Sequence, residues 1–335
     1  MPDPFYPGGL IREAQYQETM TSRVLPFLAS ARLEKTVRTF DGKDLHTELY
    51  RCPDARGSVV IVHGFTSTCV KYAELIRSLL INRYSVLIYD QRGHGRSFRP
   101  GRVKDLSLTN VNRFSDYVSD LESVLSSRAE ELPGPRFLLA HSMGGAVAAL
   151  YLEAHPDAFK KAVLCSPMFA PATGGRPAWV SRALCGAASL IGQGDRRIFV
   201  SKPYAGPEDF DTSCATSRAR FEWYDLIRAT NPFCSNNGPS YRWTLEALNV
   251  TAQVLRERVV EKISVPVRVY QAEQEFMVLP WAQEAFVKRL PHGELIPVRG
   301  ARHEIYRSAD DVLVPWWQGV LDFLGEEPDP DPAGE

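Results

Sequence analysis

Short apolar segments alternate with helical patterns along most of this 335-residue chain. The segments are almost continuously apolar, which is typical of strands in a parallel sheet that is covered on both faces. Strands that alternate with helices form right-handed βαβ units, so the pattern predicts an α/β fold. The apolar segments are residues 58–62, 85–89, 137–140, 161–164, 265–270 and 294–298, and the helical patterns cover residues 73–82, 114–127, 144–154, 281–290 and 313–324.

Three parts of the chain depart from this alternation. The first residues predict a leader with one helix, and two strand-like runs after it predict a hairpin. A long internal segment is rich in aromatic residues and has no clear strand, which predicts a helical cap inserted over the carboxyl edge of the sheet. The end is rich in proline and acidic residues and is predicted to be disordered. The resulting division is a leader (1–33), a core in two parts (34–166 and 261–325), a cap (167–260) and a tail (326–335).

The composition excludes several classes of function. The net charge is −1 and no long basic run is present, so nucleic-acid binding has little electrostatic support. The six cysteines have no paired spacing, which predicts a reducing compartment, no disulfide framework and no zinc site. No secretory signal and no membrane-spanning window are visible. The predicted location is therefore cytoplasmic. A peripheral contact between the cap and the inner membrane surface stays open, and the sequence does not indicate an oligomeric state.

One strand pattern runs directly into a serine that has small neighbours. Residues 137–140 are apolar, Ser142 follows, and a helical pattern begins at Gly144. This strand–turn–helix order is the context of a nucleophile elbow, in which a serine sits at the tip of a sharp turn. An ordinary tight turn between a strand and a helix has similar residues, and Ala140 stands where the usual pattern has glycine. The rest of the chain has to decide between the two interpretations.

A nucleophilic serine needs a base and a third group that orients the base. On an elbow of this kind the chain order is serine, acid, histidine. Two carboxylates, Glu273 and Glu275, follow the strand pattern of residues 265–270, and His303 follows the next strand pattern. All three groups thus belong to the carboxyl edge of the sheet, where α/β active sites form. We predict His303 as the base, and the choice of acid stays open at this point.

The negative oxygen that develops during such a reaction needs two hydrogen-bond donors. One is expected to be the backbone N–H of Met143, the residue after the serine, and the other comes from the loop after an earlier strand. Phe65 in the loop after residues 58–62 fits the second place, since Gly64 lets the backbone approach closely. The alternative is that residues 63–64 only make a turn.

These motifs together resemble the α/β-hydrolases that include bacterial lysophospholipases and monoacylglycerol lipases. The resemblance extends from about residue 12 to residue 325, and it implies an eight-stranded, mostly parallel sheet with a cap, and no cofactor. The family's usual acid motif is Gln-Ala-Gly-x-Asp. Its fifth position is Glu275 here, which implies Glu275 as the acid and leaves Glu273 as the reserve. The motifs are residues 62–65, 89–97, 140–145, 271–275 and 300–304.

The resemblance implies a serine hydrolase that cleaves the ester of a single-chain lipid. We expect a lysophospholipid as substrate. The alternatives are a monoacylglycerol lipase or general carboxylesterase, an aminopeptidase or acyltransferase on the same fold, and a non-catalytic binding protein. The aromatic cap predicts an apolar site for the acyl chain, because ligand sites are mostly apolar concavities. The side chains expected to line it are His63, His141, Met168, Phe169, Trp223 and Trp243.

Overall fold

The computed structural model describes residues 3–101, 104–256 and 258–326. Eight strands form one sheet in the order β1-β2-β4-β3-β6-β7-β9-β10. The first three strands of this order pair antiparallel and all the others pair parallel, which confirms the predicted fold class. The strands are β1 (Arg32–Arg38), β2 (Asp44–Tyr50), β3 (Ser58–Val62), β4 (Ser85–Tyr89), β6 (Arg136–His141), β7 (Lys161–Cys165), β9 (Val267–Gln274) and β10 (Gly293–Arg302), with a separate two-residue pair, β5 (Leu108–Thr109) and β8 (Gly238–Pro239).

The helices cover both faces of this sheet. None of the helices within the described part of the chain has the length and apolar character that a membrane crossing needs. The helices are α1 (Tyr16–Thr19), α2 (Leu25–Ala31), α3 (Ala73–Ile81), α4 (Ser115–Arg128), α5 (Met143–Ala154), α6 (Ala178–Leu190), α7 (Arg218–Thr230), α8 (Tyr241–Val254), α9 (Pro280–Val287) and α10 (Asp310–Gly325).

The central strands are buried on both faces, as their continuous apolar sequence predicts. In β3, Val60 and Val62 pack into one hydrophobic cluster, whereas Val59 and Ile61 pack into the other. Successive side chains of a strand point to opposite faces, so a strand between two helical layers needs apolar residues at every position. The two clusters therefore hold the sheet between the helical layers, and they fix the strand ends that carry polar groups.

Residues 167–260, the predicted cap, contain α6, α7 and α8 and, among their described residues, no strand of the main sheet. The exact division into core and cap stays a prediction. The predicted tail lies outside the described residues, except for Glu326.

The predicted leader helix is present, but it is not uniform. A π-helical turn, Met20–Val24, joins α1 to α2, and the N–H of Leu25 donates to the carbonyl of Met20. Pro26 has no N–H to donate, so the regular pattern of helical hydrogen bonds is interrupted here. Met20 and Val24 are fully buried against the core, and they anchor the leader.

Arg220 of α7 connects the cap segment to both ends of the chain. Its guanidinium donates to the carboxylate of Glu74 in α3 (2.9 Å), to the carbonyl of Ile11 (2.7 Å) and to Asp310 at the start of α10 (2.9 Å). The Arg220 side chain is almost completely buried. Because buried charges require paired and hydrogen-bonded partners, this network fixes α7 firmly to the core.

Candidate active site

Ser142 lies in the turn between β6 and α5. Its backbone has φ 53° and ψ −119°, a positive φ that non-glycine residues rarely adopt. The turn is held by hydrogen bonds from the N–H of Ser142 to the carbonyl of Cys165 (3.0 Å) and from the N–H of Met168 to the carbonyl of Ser142 (2.8 Å). A side chain at Gly144 would overlap the carbonyl oxygens of Val62 and His63. Glycine is therefore required there for the elbow to pack against β3.

His303 directly follows β10 and lies beside Ser142. The distance from its Nε2 to Ser142 Oγ is 2.8 Å, and the distance from its Nδ1 to Glu275 Oε2 is 2.7 Å. The imidazole is nearly buried. The structure thus brings three predicted residues, one from each of three strand ends, into a single chain of hydrogen bonds.

Glu275 follows β9 and is positioned by its own loop. Its Oε1 accepts the backbone N–H groups of Met277 (2.8 Å) and Val278 (3.3 Å). Burial alone would raise the pKa of Glu275, but the hydrogen bond from His303 and these N–H groups hold the pKa below its usual value. The carboxylate is therefore ionised, and only 1% of its side chain is exposed.

Glu273 makes no contact of this kind. The strand before it was predicted to end at Tyr270, but β9 continues to Gln274, so that Glu273 lies within the strand. Three of the four added residues, Gln271, Glu273 and Gln274, are polar, because β10, the neighbour of β9, is the edge strand and this end of β9 is partly open to solvent. The Glu273 side chain is exposed and accepts the N–H of Gly300 (2.8 Å).

The two segments that carry the predicted backbone donors lie next to Ser142. Met143 is the first residue of α5, and N–H groups in the first turn of a helix have no carbonyl partner within that helix. Phe65 lies in the loop after β3, and Gly64 is the closest point of this loop to the serine. A Cβ atom at Gly64 would lie 3.1 Å from Ser142 Cβ and 2.9 Å from His141 Cδ2. The N–H at the start of α5 and the loop after β3 therefore flank the hydroxyl.

The residues predicted to line a substrate pocket divide into two groups. His63 and Phe169 have no exposed surface in the structure. The two ring nitrogens of His63 are occupied by the Gly64 carbonyl (2.8 Å) and the Gln91 N–H (3.0 Å), which makes it a loop-stabilising residue. Trp223 packs edge-on against Tyr16 of the leader helix, with ring centroids 6.1 Å apart.

The other three predicted pocket residues are His141, Met168 and Trp243. They lie close to Ser142 or to the loop after β3. Met168 donates its N–H to the serine carbonyl, and Trp243 packs on Phe65 with ring centroids 4.1 Å apart. His141 contacts His303, with ring centroids 4.9 Å apart. Burial, and secondarily the charge of His303, lowers the pKa of His141 well below its usual value, so His141 is neutral. Met168, Trp243 and the neutral His141 therefore add no charge beside the serine.

Sequence reasoning missed one charged group beside the site. Glu304 follows His303 and forms buried ion pairs with Lys71 and Arg307. The only available signal was the position of Glu304 next to the histidine, because Lys71 is 233 residues away in sequence.

One group of side chains within the described residues has metal-ligand chemistry. The ligand atoms of His46, Glu48 and Cys69 lie within 4.8 Å of one another. However, Glu48 already accepts a hydrogen bond from Tyr50 (2.6 Å) and lies 3.0 Å from His46. Burial and the nearby Asp90 raise the pKa of the Cys69 thiol well above its usual value. The three groups are thus satisfied by the protein itself, and we assign no metal to them.

Comparison with known proteins places this geometry in a family. The model of the family described as serine aminopeptidase, S33 (Hydrolase_4) matches residues 53–310, which include Ser142, Glu275 and His303. The chain belongs to this family. It is therefore a serine hydrolase, and the predicted family, fold and enzyme class are confirmed.

Relatives with curated names are similar over most of their length. Lysophospholipase L2 of Escherichia coli (strain K12) is 31% identical over 291 residues, which is 81% of this chain and 81% of that protein. Monoglyceride lipase of Homo sapiens is 27% identical over 277 residues, 82% of this chain and 79% of that protein. Among solved structures, a soluble variant of Saccharomyces cerevisiae monoglyceride lipase has a TM-score of 0.68 at 20% identity, covering 88% of this chain and 94% of that one, and shares the fold.

Proposed function

We propose that the protein hydrolyses the carboxylic ester of a single-chain lipid, with a lysophospholipid as the preferred substrate. The observation that carries this proposal is the hydrogen-bond chain from Ser142 through His303 to Glu275. A serine hydroxyl is a weak nucleophile, and an adjacent oriented base is what activates it. The geometry supports acyl transfer, and the named relatives support a lipid ester as the acyl donor.

In the proposed mechanism, Ser142 Oγ attacks the ester carbonyl carbon while His303 Nε2 accepts the hydroxyl proton. Glu275 holds the imidazole through Nδ1 and stabilises its positive charge. The backbone N–H groups of Met143 and Phe65 stabilise the oxyanion. His303 then donates the proton to the departing alcohol. Water, deprotonated by the same imidazole, cleaves the acyl-enzyme and releases the fatty acid.

The apolar surroundings favour an acyl chain over a charged acyl group. Phe65, Met168 and Trp243 lie around the serine or its neighbouring loop, and none of these side chains carries a charge. The lysophospholipid preference rests on the relatives that are named lysophospholipase L2. The family description also keeps an aminopeptidase as an alternative, which would release an amine in place of an alcohol.

A lipid substrate also requires access to a lipid surface. In and just after α6 of the segment 167–260, several large apolar side chains are exposed: Trp179 at 70%, Leu190 at 90%, Ile191 at 74% and Phe199 at 68%. Exposed apolar side chains of this size are typical of interaction sites. We propose that these residues touch the surface of the membrane or micelle from which the substrate enters.

The decisive experiment combines labelling with a substrate panel. A fluorophosphonate probe is expected to label the wild type at Ser142, and Ser142→Ala should abolish both the labelling and the hydrolysis. Lysophosphatidylcholine, monooleoylglycerol, p-nitrophenyl butyrate and alanine p-nitroanilide are then compared by kcat/KM. Highest kcat/KM on lysophosphatidylcholine supports the proposal, and a preference for the anilide replaces it with the aminopeptidase. An unlabelled wild type would identify a non-catalytic binding protein and refute the proposal.

A further inference from the structure

A buried cluster of three charged residues lies directly behind the candidate base. Glu304, the residue after His303, is the central carboxylate. Lys71 donates to Glu304 Oε1, and Arg307 Nη1 donates to Oε2 at 2.5 Å. The side chains of Lys71, Glu304 and Arg307 are 5%, 11% and 9% exposed. Each carboxylate oxygen therefore has its own cation, and all three groups are nearly removed from water.

The electrostatics of this cluster make it rigid. Burial alone would raise the pKa of Glu304, but the Lys71 ammonium and the Arg307 guanidinium hold it well below its usual range. The carboxylate is thus an anion at neutral pH. Removal of one member of a buried ion pair leaves an uncompensated charge and costs about 3–5 kcal/mol. The cluster consequently resists any movement that would separate its members.

The cluster is connected to the backbone that carries His303. The N–H of Glu304 donates to the carbonyl of Cys214 (3.0 Å), and the N–H of Arg307 donates to the carbonyl of Glu304 (2.8 Å). These bonds fix the residue after His303 at both its main chain and its side chain. Because His303 is the residue directly before Glu304, the position of its imidazole depends on this anchor.

The two cations reach the other parts of the active site. Lys71 lies in the 3₁₀ turn Cys69–Tyr72, which follows the loop that contains Phe65, and its Nζ lies 4.7 Å from the ring centroid of Tyr224 in α7. Arg307 Nη2 donates to the carbonyl of Arg220, also in α7 (3.1 Å). The cluster thus joins three segments at one point: the loop after β3 that contains Phe65 (the oxyanion loop), the residues after β10 that contain His303, and the cap segment.

A series of ring contacts also connects Tyr72 to His303. Tyr72 stacks on Tyr306 with centroids 4.9 Å apart, Tyr306 contacts His141 at 5.0 Å, and His141 contacts His303 at 4.9 Å. Tyr72 is the neighbour of Lys71 in sequence, and Tyr306 is the neighbour of Arg307. The ion pairs and the ring contacts therefore hold the same two segments against each other.

We propose that Glu304, held between Lys71 and Arg307, is a positioning residue that fixes His303 Nε2 against Ser142 Oγ. This inference rests on the proposed function, because it assigns a role relative to the reacting hydroxyl. Glu304 touches neither the serine nor the substrate, and it acts only through the histidine. A displacement of a catalytic group by about 1 Å can lower the rate by about 10²-fold, so a positioning role has a measurable signature in kcat.

The test compares two double variants that each remove one buried cation and one buried carboxylate. Lys71→Met/Glu304→Gln removes the anchor and leaves the net charge unchanged. The matched control is Arg92→Met/Asp120→Asn, since Arg92 and Asp120 form an ion pair that is even more deeply buried, 1% and 0% exposed, in the loop after β4 and in α4. Both proteins are assayed at least about 15 °C below their measured Tm, so that loss of stability does not enter the rates.

The readouts are kcat and KM for p-nitrophenyl butyrate and the rate constant for labelling of Ser142 by a fluorophosphonate. In the anchor variant, kcat and the labelling rate are expected to fall at least about tenfold, with KM changed less than about twofold, because binding of a short ester does not depend on the base. The control is expected to keep kcat within about twofold of the wild type. If the folded Lys71→Met/Glu304→Gln variant also keeps kcat within about twofold of the wild type, the positioning role is refuted.

A further substitution keeps the test decisive if the anchor variant does not fold. Lys71→Met leaves Glu304 paired with Arg307, so its charge remains compensated, and it is expected to lower kcat in the same direction. Unchanged kcat in this folded variant would also refute the proposal. The failure of the proposed function looks different: in that case the wild type itself would not be labelled at Ser142.

Discussion

Glu275 lies 2.7 Å from His303 although a glutamate is one methylene longer than the aspartate that the family pattern has at this position. The extra length is accommodated because the carboxylate is held by the N–H groups of its own loop, at Met277 and Val278. We expect Glu275→Gln to lower kcat by about 10⁴-fold, since the amide no longer favours the productive imidazole tautomer. Steady-state kinetics on p-nitrophenyl butyrate measure this loss.

The matched control for that substitution is Glu273→Gln. Glu273 is exposed and accepts the N–H of Gly300, so the kcat of this variant is expected to stay within about twofold of the wild type. A large loss in Glu273→Gln with an active Glu275→Gln would transfer the role of the acid to Glu273.

The oxyanion loop can be displaced by a single methyl group. Gly64→Ala places its Cβ 2.9 Å from His141 Cδ2 and 3.1 Å from Ser142 Cβ, closer than ordinary contact. We expect the loop to move away from the serine, which weakens the Phe65 donor and lowers kcat by about 10²-fold. Circular dichroism checks the fold, and kinetics check the rate. Wild-type kcat in a folded Gly64→Ala protein would show that the N–H of Phe65 is not a donor.

The stability of the folded protein at acidic pH should depend on its buried carboxylates. The pKa of Glu304 is lower in the folded protein than its usual value, so this group stabilises the fold above its unfolded pKa of about 4.3. That contribution is lost as the pH falls through the folded pKa. We therefore expect wild-type Tm to fall more steeply below about pH 4.3 than the Tm of Lys71→Met/Glu304→Gln. Calorimetry from pH 7 to pH 3 tests this, and parallel curves for the two proteins would contradict it.

The exposed apolar residues of the cap segment should contribute to binding of lipid surfaces and not to hydrolysis of soluble esters. Trp179→Ser/Ile191→Ser is expected to weaken binding to phosphatidylcholine–phosphatidylglycerol vesicles by about tenfold or more, since each large apolar side chain contributes about 1.5–3 kcal/mol when buried. Vesicle co-sedimentation measures the binding, and kcat/KM for p-nitrophenyl butyrate should stay within about twofold.

The control is Ile81→Ser at the end of α3, where the isoleucine is 48% exposed but lies outside the cap segment. Equal loss of vesicle binding in the control and in the cap variant would mean that α6 and its neighbouring residues are not the contact surface.

The sequence predicted those parts of the site that are encoded locally. Ser142 follows the apolar strand pattern of residues 137–140 and His303 follows that of residues 294–298, and the chemistry of a base and a nucleophile restricts the choice of residue types. Glu275 could be predicted only with the help of the family motif, because the polar residues before it make the end of β9 unrecognisable in the sequence. These polar residues are tolerated since β9 lies next to the edge strand, which apolar periodicity alone does not reveal.

The features that could not be predicted depend on contacts between residues far apart in sequence, or on a backbone N–H that is absent. Lys71 and Glu304 meet only because the loops after β3 and β10 converge at the carboxyl edge of the sheet. The full burial of His63 is compensated by its bonds to Gln91 and Gly64, and it could not be inferred from a histidine at a strand end. The π-helical turn before Pro26 results from one absent N–H, which overrides a regular helical pattern.

The connections of Arg220 have a consequence for the order in which the protein is made. This arginine requires Ile11, 209 residues before it, and Asp310, 90 residues after it, before its charge is fully compensated. While the ribosome is still adding β10, α7 therefore lacks one of its anchors, and His303 has yet to emerge from the exit tunnel. A nascent chain can complete the elbow at Ser142 early, but it becomes a competent hydrolase only after β10 and His303 have been added.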